Sequence, residues 1–99
     1  MMATKQTILI VDDEEQFLES ISRCLQVRDF NVIAVNRGEK AIEAARKNPI
    51  DLAIVDLKMP GVDGLEVLRK VKETHPQIEV IILTGHGHEE DRQLCMELG

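Results

Sequence analysis

DLAIVDLKMPGVDG (Asp51–Gly64) carries the plan of this chain. An apolar run, Leu52 to Val55, ends in a single acid, Asp56, and a Pro60-Gly61 break follows. A continuous aliphatic run without polar alternation is the pattern of a strand covered on both faces. The next stretch, DGLEVLRKVKETH (Asp63–His75), sets Leu65, Leu68 and Val71 on one helical face and stops at Pro76. The unit is therefore strand, break, helix, with a carboxylate where the strand gives way.

Outward from this unit the same pattern recurs. TILIVD (Thr7–Asp12) reads as a strand, and EEQFLESISRCLQV after it places Phe17, Leu18, Ile21 and Leu25 on one face. NVIAV (Asn31–Val35) is a second strand, preceded by Asp29 at a helix-to-strand turn where an Asp tolerates left-handed backbone. Asn36 is placed to cap GEKAIEAARK, whose apolar face is mostly alanine, and Asn48-Pro49 ends that helix. IEVIILT (Ile78–Thr84) is a fourth strand, and HEEDRQLCMEL opens a fourth helix with acids in its first turn. Strict alternation of this kind predicts an α/β fold: a doubly wound parallel sheet with helices on both faces and right-handed crossovers.

The 99 residues bound the chain to one small domain, 1–99, without linker, repeat or low-complexity segment. With 43% hydrophobic and 2% aromatic residues, the core must be aliphatic. A net charge of −6 without a basic cluster argues against direct nucleic-acid binding. The apolar runs are far shorter than the roughly 20 residues of a membrane span, and MMATKQT lacks the apolar core of a signal peptide. Cys24 and Cys95 sit singly in helical patterns and read as reduced thiols of a cytoplasmic protein.

In a doubly wound sheet, ligands bind at the carboxyl ends of the strands. Asp12-Asp13 stand there after the first strand, Asp56 after the third, and Thr84-Gly85 after the fourth. If the first and third strands are neighbours, three carboxylates converge, and like charges that close call for a cation or a raised pKa. A hard divalent ion such as Mg²⁺, with its preference for oxygen ligands, is the economical solution. Glu14 and Asp63 are better explained as helix-capping acids. Asp12, Asp13 and Asp56 taken together are not, because two strands and a hydroxyl on a third are involved.

ILIVDDEEQF, IVDLKMPGVDGLEVL and VIILTGHG, in that order, resemble the receiver domain of two-component response regulators over residues 7–99. The resemblance implies a flavodoxin-like sheet of order 2-1-3-4. It implies that Asp56 accepts a phosphoryl group from a phosphohistidine on a sensor histidine kinase. By the same resemblance Asp13, Asp56 and the backbone carbonyl of Lys58 hold Mg²⁺ directly, and Asp12 acts through water. Thr84 donates a hydrogen bond to the phosphoryl oxygen, and Lys58 and His86 flank the site. Any catalysis is self-directed: phosphotransfer to Asp56 and its autodephosphorylation, with no turnover of an external substrate.

The family pattern continues into a fifth strand bearing a Lys and a fifth helix, and residues 1–99 contain no match to either. A helix with about four large apolar side chains contributes roughly 6–12 kcal/mol of gross burial, against a net domain stability of about 5–15 kcal/mol. The expectation is therefore a C-terminally incomplete domain, four βα units long, of marginal stability. It would be a fragment of a longer regulator that either self-associates through the face left open beside the fourth strand or was trimmed. The rival reading is a receiver-shaped interaction or dimerisation module without phosphate-driven switching.

Other matches fail on particular residues. GHGHEE resembles the opening of a dinucleotide loop, but Glu90 stands where the third glycine belongs. His86 and His88 lack further ligands. A haloacid-dehalogenase-type phosphatase wants an acid where Lys58 stands, and flavodoxin wants a Ser/Thr-rich loop after the first strand.

Overall fold

The computed structural model describes residues 5–56 and 64–83. Its elements run β1 (Thr7–Val11), α1 (Glu15–Val27), β2 (Asn31–Val35), α2 (Gly38–Lys47), β3 (Leu52–Asp56), α3 (Gly64–Thr74) and β4 (Glu79–Leu83). The four strands form one parallel sheet in the order β2-β1-β3-β4. This is the α/β order the resemblance implies. The expected fourth helix, Thr84, Gly85, Lys58 and Cys95 lie outside the described residues.

β1 and β3 are central, which is why their sequences are apolar without alternation. Ile8, Leu9, Ile10 and Val11 are buried, as are Ala53, Ile54 and Val55. The two-residue period of a strand sends alternate side chains to opposite layers. Leu9, Val11, Ala53 and Val55 join Ala41 and Ala45 of α2 and Val67 and Val71 of α3 in one cluster. Ile8, Ile10 and Ile54 join Phe17, Leu18, Ile21 and Leu25 of α1 in the other. The α1 stripe is the one its spacing predicts.

α2 lies on the sheet through Ala41 and Ala45, which are 0% and 3% exposed. Small side chains let a helix backbone approach closely, so an alanine face suffices for a core contact. α3 corrects an expectation. Its buried stripe is Gly64, Val67 and Val71, while Leu65 is 60% exposed. The i, i+3, i+7 row ending in Val71 turns Leu65 roughly 100° away from its neighbour Gly64, off the sheet.

The helix ends show how local chemistry sets the turns. α1 finishes in a Schellman motif: the Asp29 N–H donates to the Gln26 carbonyl at 3.0 Å and the Phe30 N–H to the Leu25 carbonyl at 3.1 Å. Asp29 carries φ 73°, the left-handed position expected of it. Phe30 and Leu25 meet in the α1 cluster and complete the motif. α2 ends at Asn48, whose backbone is extended before Pro49 and whose Nδ2 donates to the Ala44 carbonyl at 2.9 Å. Its beginning differs from expectation. The N-cap is Arg37, without a side-chain cap bond, and Asn36 bonds elsewhere. Cys24 is half-buried on α1, where Arg28 Nη1 donates to its Sγ at 3.2 Å; the reading of the two cysteines as reduced thiols also depends on Cys95, which lies outside the described residues.

At the amino edge of the sheet, β1 and β3 are stitched by two bonds. The Asp51 N–H donates to the Thr7 carbonyl at 2.9 Å, and the Thr7 N–H donates to Asp51 Oδ2 at 2.7 Å. The acids Asp12, Asp13 and Asp56 lie at the opposite, carboxyl edge.

Candidate functional site

Parallel pairing sets Val11 against Val55. The next residue on each strand path, Asp12 and Asp56, therefore emerges side by side at the carboxyl edge. Both are buried, at 1% and 0% exposure. Asp13, one residue on, is exposed. One carboxylate oxygen from each of Asp12, Asp13 and Asp56 lies within 4.8 Å of the others. Two of these acids come from the β1 end and one from β3, so the cluster exists only because the sheet order makes these strands neighbours.

The β1 end is held in place by backbone. The Asp12 N–H donates to the Val35 carbonyl of β2 at 3.2 Å. Asp12 Oδ1 accepts the Glu14 N–H at 2.8 Å, an Asx turn that bends the chain at Asp13 before α1 begins. The Leu18 N–H then donates to the Glu14 carbonyl at 3.0 Å and starts the helix. This leaves Asp12 Oδ2 directed inward and Asp13 reaching in from the rim.

Two unit charges about 5 Å apart repel by roughly 3 kcal/mol at an effective dielectric near 20. Three carboxylates at such separations favour a cation among them. The donor set is all hard carboxylate oxygen, which suits Mg²⁺ or Ca²⁺ and offers nothing to a soft metal.

The sequence reading named Asp12, Asp13 and Asp56, and the structure brings all three together. Thr84 and Lys58 lie outside the described residues, though Leu83 pairs with Asp56 at the end of β4. The reading missed a contact at the rim: Asn36 Nδ2 donates to Glu15 Oε1 at 3.1 Å. The signal was present in Asn36, a polar residue directly after a strand, but it was read as a cap for α2.

The family model for the response regulator receiver domain matches residues 8–99. The chain belongs to this family. As a receiver domain it is 39% identical over 92 residues to the transcriptional regulatory protein CpxR of Escherichia coli, an alignment covering 93% of the chain and 39% of CpxR. It superposes on the CheY-like receiver domain protein of Methanospirillum hungatei with a TM-score of 0.80 at 26% identity, covering 97% of this chain and 77% of that one. It also matches a chain in the complex of the histidine kinase ThkA with the response regulator protein TrrA, with a TM-score of 0.74 at 32% identity, covering 84% of this chain and 72% of that one. The chain spans less than half the length of each of these curated relatives, from 25% of a cyclic di-GMP phosphodiesterase of Thermotoga maritima to 42% of the transcriptional regulatory protein CreB of Escherichia coli.

Proposed function

We propose that this receiver domain is a phosphoacceptor, taking a phosphoryl group from a sensor histidine kinase onto Asp56 to control an output or partner. The observation that carries the reading is the convergence of Asp12, Asp13 and Asp56 at one point of the carboxyl edge. A carboxylate oxygen of Asp56 attacks the phosphorus of a phosphohistidine. The P–N bond breaks as the new P–O bond forms, leaving an aspartyl phosphate and a free imidazole on the partner. Little covalent work falls to the protein in such a transfer. It must position the acceptor and offset charge on the equatorial oxygens.

Asp56 is buried at the end of β3, a position that keeps the acceptor on a rigid element. Asp13, Asp56 and the Lys58 carbonyl are the groups assigned to hold Mg²⁺, with Asp12 acting through water. The ion supplies charge neutralisation when bound. Thr84 is assigned the hydrogen bond to the phosphoryl oxygen. A kinase partner is supported by the ThkA–TrrA complex, which pairs a response regulator with a histidine kinase.

The rest of the reading is coarser. Residues 8–99 act as a single receiver unit, cytoplasmic on family grounds, and no described helix is long and apolar enough to cross a membrane. Self-association along β4 belongs to the same reading: among the described residues β4 pairs only with β3, and Ile82 is 41% exposed.

The test is incorporation of label from radiolabelled acetyl phosphate with and without Mg²⁺. The parent chain should label only with the ion, and Asp56→Ala should not label at all. An Asp56→Ala chain that labels like its parent removes the acceptor assignment.

A further inference from the structure

Asn36 is the residue whose expected role the fold does not use. It stands directly after β2, yet α2 starts from Arg37 without a side-chain cap. Its amide turns instead across the carboxyl edge to Glu15, in the first turn of α1. A carboxylate only accepts, so the amide must present its NH₂ to Glu15. The backbone makes a second link between the same two segments, the Asp12 N–H to the Val35 carbonyl. Asp13 lies between these tethers, in the bend from Asp12 to Glu15.

We propose that the Asn36–Glu15 hydrogen bond is a latch that positions Asp13 for the cation, making Asn36 a positioning residue of the metal site. The inference rests on the reading of Asp12, Asp13 and Asp56 as a Mg²⁺ site. Asp56 ends β3, Asp12 directly follows β1 with its N–H bonded to the Val35 carbonyl, and both are buried. Asp13 is exposed and sits in the bend between β1 and α1, outside any strand. Its carboxylate is therefore the member of the cluster most dependent on outside support. The Asx turn fixes the start of the bend, and the latch fixes its end against β2. Glu15 contributes as an acceptor for Asn36, and its charge is incidental to the latch.

A purely electrostatic account competes with this. Glu15 adds negative charge near the site, and Lys40 lines the same groove as Glu15 and Asn36. The two accounts separate on Glu15→Gln, which keeps an oxygen acceptor and removes the charge. Mg²⁺ affinity of the full chain is measured by calorimetry, with amide NMR shifts verifying the fold of each variant. Groups that orient metal ligands from outside commonly change affinity about 10–100-fold, and one acting a step further out should be worth ~3–10-fold.

Asn36→Ala should weaken Mg²⁺ binding by that factor, Glu15→Ala equally, and the double variant no further, since both remove one bond. Glu15→Gln should bind within about twofold of the parent if the acceptor is what matters. Unchanged affinity in Asn36→Ala overturns the latch and leaves the metal site standing. Equal loss in Glu15→Gln and Glu15→Ala, with Asn36→Ala like the parent, overturns it in favour of charge. A parent chain that binds no Mg²⁺ overturns the metal reading itself, and the latch falls with it.

Discussion

Val11 on β1 and Val55 on β3 are register partners, and each is followed by a buried acid. Two carboxylates thus leave a hydrophobic sheet at the same level, with Asp13 completing the cluster. Burying like charges together costs stability that a cation restores. Asp12→Asn keeps the Oδ1 acceptor for the Glu14 N–H and removes one charge. In chelator it should raise stability by about 1–3 kcal/mol, a fraction to all of one pairwise repulsion. Adding Mg²⁺ should stabilise the parent as binding to the folded state alone requires, and the variant less. Thermal melts with and without the ion check both halves. A variant less stable than the parent in chelator would mean the cluster is not under charge strain.

The alanine face of α2 sets a second expectation. Ala41 is fully buried between α2 and the sheet, where the helix backbone comes close. Overfilling a packed core commonly costs about 1–3 kcal/mol. Ala41→Leu should fall in that range by urea denaturation, whereas a change at the exposed Leu65, such as Leu65→Gln, should stay within about 0.5 kcal/mol.

Asp29 supplies a third. Its φ of 73° is left-handed, and the turn must keep that angle to hold the Phe30–Leu25 bond. Asp29→Gly removes the Cβ penalty and loses only a surface pair with Lys5 at 3.2 Å. Asp29→Ala keeps the penalty without the pair. The glycine variant should be more stable than the alanine variant by roughly 1 kcal/mol in equilibrium unfolding.

The pH dependence of one surface pair can be given a sign. The hydrogen bond from Lys47, and then its charge, holds Glu43 below its ordinary value of 4.5; the same bond and the Glu43 charge raise Lys47 above 10.5. A lowered carboxylate contributes stability above its unfolded pKa and loses it as pH falls through the folded one. A raised ammonium contributes below its unfolded pKa and loses it as pH rises through the folded one. The pair therefore acts from about pH 5 to pH 10 and fades outside that window. Both groups are exposed, so salt should shrink the effect. NMR titration of Glu43 in Lys47→Met should show its pKa moving up; no movement would deny the coupling.

Much of this architecture was legible because the periodicities were strong. The aliphatic runs at Ile8–Val11 and Leu52–Val55 read as strands buried on both faces, and Phe17, Leu18, Ile21 and Leu25 as an inward helical face. Asp29 was legible from its backbone tolerance alone. The acids of the site were legible individually, but their convergence needed the neighbouring of β1 and β3, which local sequence does not encode. Two readings failed for the same reason. Leu65 looked like core because it is apolar, yet the rotation of α3 is decided by Val67 and Val71 against the sheet. Asn36 looked like a cap because it precedes a helix, yet a partner 21 positions earlier in the chain claims its amide. Long-range competition for a side chain leaves no local trace.

The five-residue lengths of β1 and β3 act as rulers. Each residue advances a strand by about 3.3 Å and reverses the face its side chain points to. Deleting one residue from β3 would carry Asp56 inward by that step and swing it into the opposite layer, among aliphatic side chains. Two deletions would restore the face and leave the carboxylate short of its partners. The site is therefore calibrated by chain count as much as by residue type, and a drift in strand length would erase it while every acid remained.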